Sequence, residues 1–80
     1  MLTMDAIQNT VREHFASFYK KPLADSDNLF AKGVLDSMGI VGLITYLEEK
    51  LQAAVEPEDI TEENFATIAA IAALLRKKIK

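Results

Sequence analysis

An all-α fold, a bundle of four helices with three long and one short, follows from three observations on this chain. Large apolar residues recur at intervals of three and four in separate runs. Ser, Thr or Asp stands just ahead of those runs, where a side-chain oxygen can accept from free N–H groups of a first turn. No run alternates apolar with polar residues as a strand would, and no internal repeat is present.

The first helix is expected from about Thr3 to Tyr19. Ile7, Val11, Phe15 and Phe18 form its stripe, Thr3 caps it, and Lys20, Lys21 and Pro22 mark its end. His14 lies beside the stripe, partly exposed and without an evident partner. From Pro22 to Leu35 the period stops. Asp25, Ser26, Asp27 and Asn28 bond their own backbone in turns, and Gly33 can take a positive φ. Leu29, Phe30, Val34 and Leu35 are too apolar to be left in water, so they are expected to pin a long ordered loop across the core.

The second helix should run from Ser37 to about Leu51. Ile40, Leu43, Ile44, Leu47 and Leu51 make its buried face, and Met38, Gly42, Thr45, Tyr46 and Glu49 look outward. Gly39 and Gly42 each cost up to about 1 kcal/mol relative to alanine inside a helix. Either they let another surface approach closely, or they drifted neutrally on an exposed face. After a break at Val55-Glu56-Pro57, Thr61 caps a short turn covering Glu62 to Phe65. Thr67 then caps the last helix, with the stripe Ile68, Ile71, Ala72, Leu75 and Ile79.

Eighty residues suffice for one modest core, so residues 1–80 are read as a single domain. With no cysteine and one histidine, neither a disulfide nor a thiolate or histidine metal site is available. A net charge of −3 argues against nucleic-acid binding, which needs clustered Lys and Arg on one face. A helix-turn-helix reading fails further, because the second helix offers Gly39, Gly42, Thr45 and Glu49 where basic and amide side chains would be needed. The cluster Arg76, Lys77, Lys78 and Lys80 is expected to answer the negative end of the last helix, a membrane or partner contact being the alternative reading. Neither a secretory signal nor an apolar run long enough to span a bilayer is seen, so no membrane insertion and a cytoplasmic location are expected.

Leu35-Asp36-Ser37-Met38 is where chemistry is written. Asp36 is a good N-cap, worth about 0.5–2 kcal/mol over alanine. Ser37 then takes the first helical position, where free N–H groups and the peptide dipoles favour an anion such as a phosphate on its oxygen. Hydrolase activity is set aside. Ser37 lacks a visible general base and oxyanion hole, and the segment is not G-x-S-x-G, since the glycine two places before the serine is missing.

Leu29-Phe30, Gly33, Val34-Leu35-Asp36-Ser37-Met38, the helix ending Tyr46-Leu47-Glu48-Glu49-Lys50-Leu51, and Glu63-Asn64-Phe65-Ala66-Thr67-Ile68 together resemble an acyl carrier protein or peptidyl carrier domain over nearly the whole chain. The resemblance implies a four-helix bundle of the acyl-carrier type and a monomer with no catalytic activity of its own. Starting at Met1 and ending just past its last helix, the chain is expected to be free-standing, although an excised domain with an added methionine would read the same. The resemblance further implies that Ser37 is the attachment point of 4′-phosphopantetheine, donated by coenzyme A through a phosphopantetheinyl transferase. Asp36 would help orient the magnesium-bound coenzyme during loading. The arm's thiol would hold an acyl or aminoacyl thioester, passed from a loading enzyme to a downstream acyl-accepting enzyme. Met38, Gly39, Gly42, Thr45 and Phe65 are the expected partner-binding positions. The chain departs from a typical fatty-acid carrier in having Gly39 and Gly42 where acidic residues stand early on the second helix. A specialised pathway, of nonribosomal peptide, polyketide or D-alanyl type, is therefore expected over general fatty-acid synthesis. The competing reading is a helical interaction adaptor without a prosthetic group, in which Ser37 is an ordinary helix residue or a phosphorylation site.

Overall fold

The computed structural model describes residues 3–79, and its elements are α1 (Met4–Ala16), α2 (Ser37–Leu51), a 3-10 turn (Pro57–Asp59), α3 (Glu62–Phe65) and α4 (Ile68–Lys78). Each α-helix starts at an oxygen that the sequence supplies. Thr3 Oγ1 accepts from the Ala6 N–H at 3.1 Å, Asp36 Oδ1 from Gly39 at 2.7 Å, Thr61 Oγ1 from Asn64 at 3.2 Å and Thr67 Oγ1 from Ala70 at 3.0 Å. These bonds satisfy first-turn donors that have no intrahelical partner.

The core joins all four helices and the loop between the first two. Ile7, Val11 and Phe15 of α1 meet Leu43, Leu47 and Leu51 of α2, Phe65 of α3, and Ile68, Ile71, Ala72, Leu74 and Leu75 of α4, with α1 packed mainly on α4. Burying each large side chain contributes about 1.5–3 kcal/mol before entropy. Among the described residues no buried residue is polar or charged.

The connection from α1 to α2 is stitched in place as its apolar content demands. Leu29, Val34 and Leu35 are buried and Phe30 is half-buried. The Leu29 N–H donates to the Ala66 carbonyl at 2.7 Å, and the Ala69 N–H donates to the Asp25 carbonyl at 3.1 Å, so the loop is bonded to the α3–α4 junction. Val34 and Leu35 N–H groups share the Leu29 carbonyl at 2.9 and 3.2 Å. Gly33 has φ 71°, the conformation expected of it. Asp25 also pairs with Arg12 of α1.

Several expectations are corrected. α1 stops at Ala16 and not near Tyr19, because the Ser17 hydroxyl donates to the His14 carbonyl at 2.7 Å and Lys20 Nζ caps the Ala16 carbonyl at 2.9 Å. Phe18 thus leaves the stripe and is 56% exposed. His14 does have partners: its half-buried ring lies 4.9 Å from Tyr46, 5.5 Å from Phe15 and 5.7 Å from Phe18. Tyr46 is accordingly half-buried and not outward, and Ile40 and Ile44 are only half-buried at the edge of the stripe. α4 ends at Lys78. Ile79 turns extended, at φ −74° and ψ 131°, and bridges to Ala53. Arg76 and Lys77 are exposed in the last turn, Lys78 instead pairs with Asp59, and Lys80 lies outside the described residues.

Candidate functional site

The start of α2 sits beside an open groove of about 600 Å³. One wall is Phe30 and Leu35 from the loop. The floor comes from Asp36, Ser37, Ile40 and Val41 at the start of α2, and the far wall is Ile60, Thr61 and Glu62 ahead of and within α3.

Ser37 is exposed, is the first residue of α2 and lines this groove. Asp36 precedes it in extended backbone, φ −138° and ψ −176°, which turns its carboxylate back to the Gly39 N–H. The Ile40 N–H bonds the Asp36 carbonyl at 2.9 Å. Asp36 therefore satisfies one free first-turn donor of α2, that of Gly39, while its carbonyl takes the first regular helical bond. Among the described residues no acceptor takes the Ser37 or Met38 N–H, so both remain for an anion at this end of the helix.

Gly39 has a local reason that the residue pattern did not reveal. A Cβ there would stand 3.2 Å from Asp36 Oδ1 and 3.4 Å from Leu35 Cδ1, so its absence lets the capping carboxylate lie close against the helix. Gly42 is different: a Cβ there would meet nothing within 4 Å, and the residue is exposed. Met38 is 84% exposed, and Thr45 is exposed with its hydroxyl bonded to the Val41 carbonyl at 3.0 Å. Met38, Gly42 and Thr45 do share the open side of α2.

Phe65 does not join them. It is 1% exposed and lies in the core beside the helices it joins, so its ring is not offered to a partner. A four-residue helix carries too little periodicity to say which way it faces. Besides Met38, the exposed apolar side chains of this region are Val41 and Ile60, at 65% and 44%. Val41 had a readable signal, a β-branched residue just off the α2 stripe. Ile60 had none, since it lies between two short turns. Elsewhere among the described residues no group of acidic, His or Cys side chains could hold a metal ion, and no helix is long and apolar enough to cross a membrane.

Comparison with known proteins adds one finding. A family model described as the phosphopantetheine attachment site matches residues 9–75, which take in all of α2, α3 and the groove. No curated protein matches the chain.

Proposed function

The chain belongs to the phosphopantetheine attachment site family, and on that premise we propose that Ser37 is the residue that carries its arm. Domains of this family are the sites of covalent 4′-phosphopantetheine attachment and act as carriers, in general without catalysis of their own. The observation that carries the assignment is the position of one hydroxyl: Ser37 is exposed, opens α2, and lines an open groove.

The residues fit the group. The Ser37 oxygen would form the phosphodiester, and the Ser37 and Met38 N–H groups would oppose its negative charge. Asp36 holds the first turn so that the hydroxyl stays at the tip of the helix, and it would orient the magnesium-bound coenzyme during transfer. When bound, the group supplies the thiol that this cysteine-free chain lacks, holding acyl or aminoacyl cargo as a thioester. Residues 1–80 would act as a single carrier domain.

Partners follow from the carrier role: a phosphopantetheinyl transferase and acyl-handling enzymes. Met38, Val41, Gly42 and Thr45 form the face of α2 that we assign to them, with Ile60 replacing Phe65 on the α3 side. From Ser37 to Leu47 that helix contains no charged residue. Docking on an uncharged face favours apolar contact and shape over charge pairing. This supports a specialised route, of nonribosomal peptide, polyketide or D-alanyl type, over general fatty-acid synthesis.

Intact-mass measurement after coexpression with a broad-specificity phosphopantetheinyl transferase tests the reading. The expected outcome is a gain of one phosphopantetheine in the wild type and none in Ser37→Ala. An unchanged wild-type mass would leave the chain as an interaction adaptor.

A further inference from the structure

The far wall of the groove is built unlike the rest of the protein. Between buried Ala53 and buried Phe65 every residue is half-buried or exposed, and Val55 packs against the core only half-buried. Ile60, Thr61 and Glu62, which face Ser37 across the groove, belong to this stretch.

Polar bonds hold it, and most converge on two residues. Asp59 Oδ2 accepts from Lys78 Nζ at 2.9 Å and from the Glu56 N–H at 2.9 Å, and the Asp59 carbonyl accepts from Asn64 Nδ2 at 2.8 Å. Lys78 adds a second tie, its own carbonyl accepting from the Ala54 N–H at 3.1 Å. The next residue, Ile79, bridges to Ala53. The two charged side chains are 15% and 26% exposed, more sheltered than the other ion pairs among the described residues. A charge-assisted bond of this length in a sheltered place holds geometry better than a solvated pair.

We infer that Asp59 and Lys78 form a clasp, tying the end of α4 to the 3-10 turn, that sets the position of the Ile60–Glu62 wall opposite Ser37. Both are positioning residues, remote from the hydroxyl itself. Their relevance to loading rests on the reading that Ser37 carries the arm. The bonds within the segment do not.

Amide hydrogen exchange on the unmodified protein isolates the clasp. In Lys78→Met, exchange of residues 56–64 should rise about tenfold while the α1 and α4 core amides keep their rates, because the segment opens locally. Lys78→Arg, which keeps the charge and the reach, should restore protection. Raising the salt to about 1 M should act on the wild type in the same direction and leave Lys78→Met unchanged. Equal exchange in the wild type and Lys78→Met, or a uniform rise across the whole chain, overturns the clasp. Loading by a phosphopantetheinyl transferase gives the second readout: Lys78→Met should raise KM for the carrier severalfold with kcat unchanged, and Lys78→Arg should reverse it. An unchanged KM overturns the role of the wall. Should the wild type fail to load at all, the Ser37 assignment falls, and the exchange data alone then decide the clasp.

Discussion

The pair of glycines at the start of α2 separates two pressures that look identical on paper. At Gly42 an added methyl meets open space, so Gly42→Ala should stabilise the fold by about 0.5–1 kcal/mol through helix propensity, read from chemical denaturation. If the bare backbone there serves docking, the same variant should load more slowly despite its stability. An unchanged loading rate would assign Gly42 to drift. At Gly39 the methyl must displace Asp36 Oδ1, so the propensity gain is offset by a weakened cap, and Gly39→Ala should fall short of Gly42→Ala in stability. Asp36→Ala should cost about 0.5–2 kcal/mol as a lost cap. Its loading rate should drop by more than its helix content does. His14 brings a pH dependence. Partial burial against Phe15, Phe18 and Tyr46 lowers its pKa below the ordinary 6.5, so the fold favours the neutral ring. Its contribution is therefore intact above pH 6.5 and fades as acid is added through that value toward the lower folded one. Thermal denaturation should show the wild type losing stability between about pH 7.5 and 5, with the loss reduced in His14→Phe.

Among the elements, what was legible in the sequence is what is decided locally. Thr3, Asp36, Thr61 and Thr67 each act within three residues, so the starts of all four helices could be read before any packing was known. Ends were harder. α1 stops where Ser17 and Lys20 claim its last carbonyls, and α4 stops where Ile79 finds Ala53, events that depend on side-chain reach or on a distant segment. α2 is closed after Leu51 by Gln52 in the left-handed region, φ 57°, which costs a residue bearing a Cβ. Gln52→Gly should raise stability by about 0.5–1 kcal/mol, measurable as a higher denaturation midpoint at unchanged slope. For the candidate site the division is the same. Ser37, Asp36 and the uncharged α2 face follow from short-range pattern, whereas Ile60, the burial of Phe65 and the Asp59–Lys78 bond require knowing how the 53–65 segment folds back on α4.

For the molecule as a whole, charge distribution sets how it should meet other proteins. Along the α2 face no charge stands from Ser37 to Leu47, Glu48 and Glu49 come only at the far end of the helix, and the carboxylates nearest Ser37 are those of the cap Asp36 and of Glu62 in the same groove. Encounter with a loading enzyme should then gain little from long-range attraction, and the second-order rate of loading should change less than about threefold between 50 and 500 mM salt, where steered associations fall steeply. Beneath that face, all buried side chains among the described residues are hydrocarbons. Such an interior carries no directional instruction, because one hydrocarbon of the right volume is nearly interchangeable with another. The centre of this protein could be recoded wholesale and still hand the same serine to solvent. Erasing its four capping oxygens would loosen the start of every helix, at about 0.5–2 kcal/mol each.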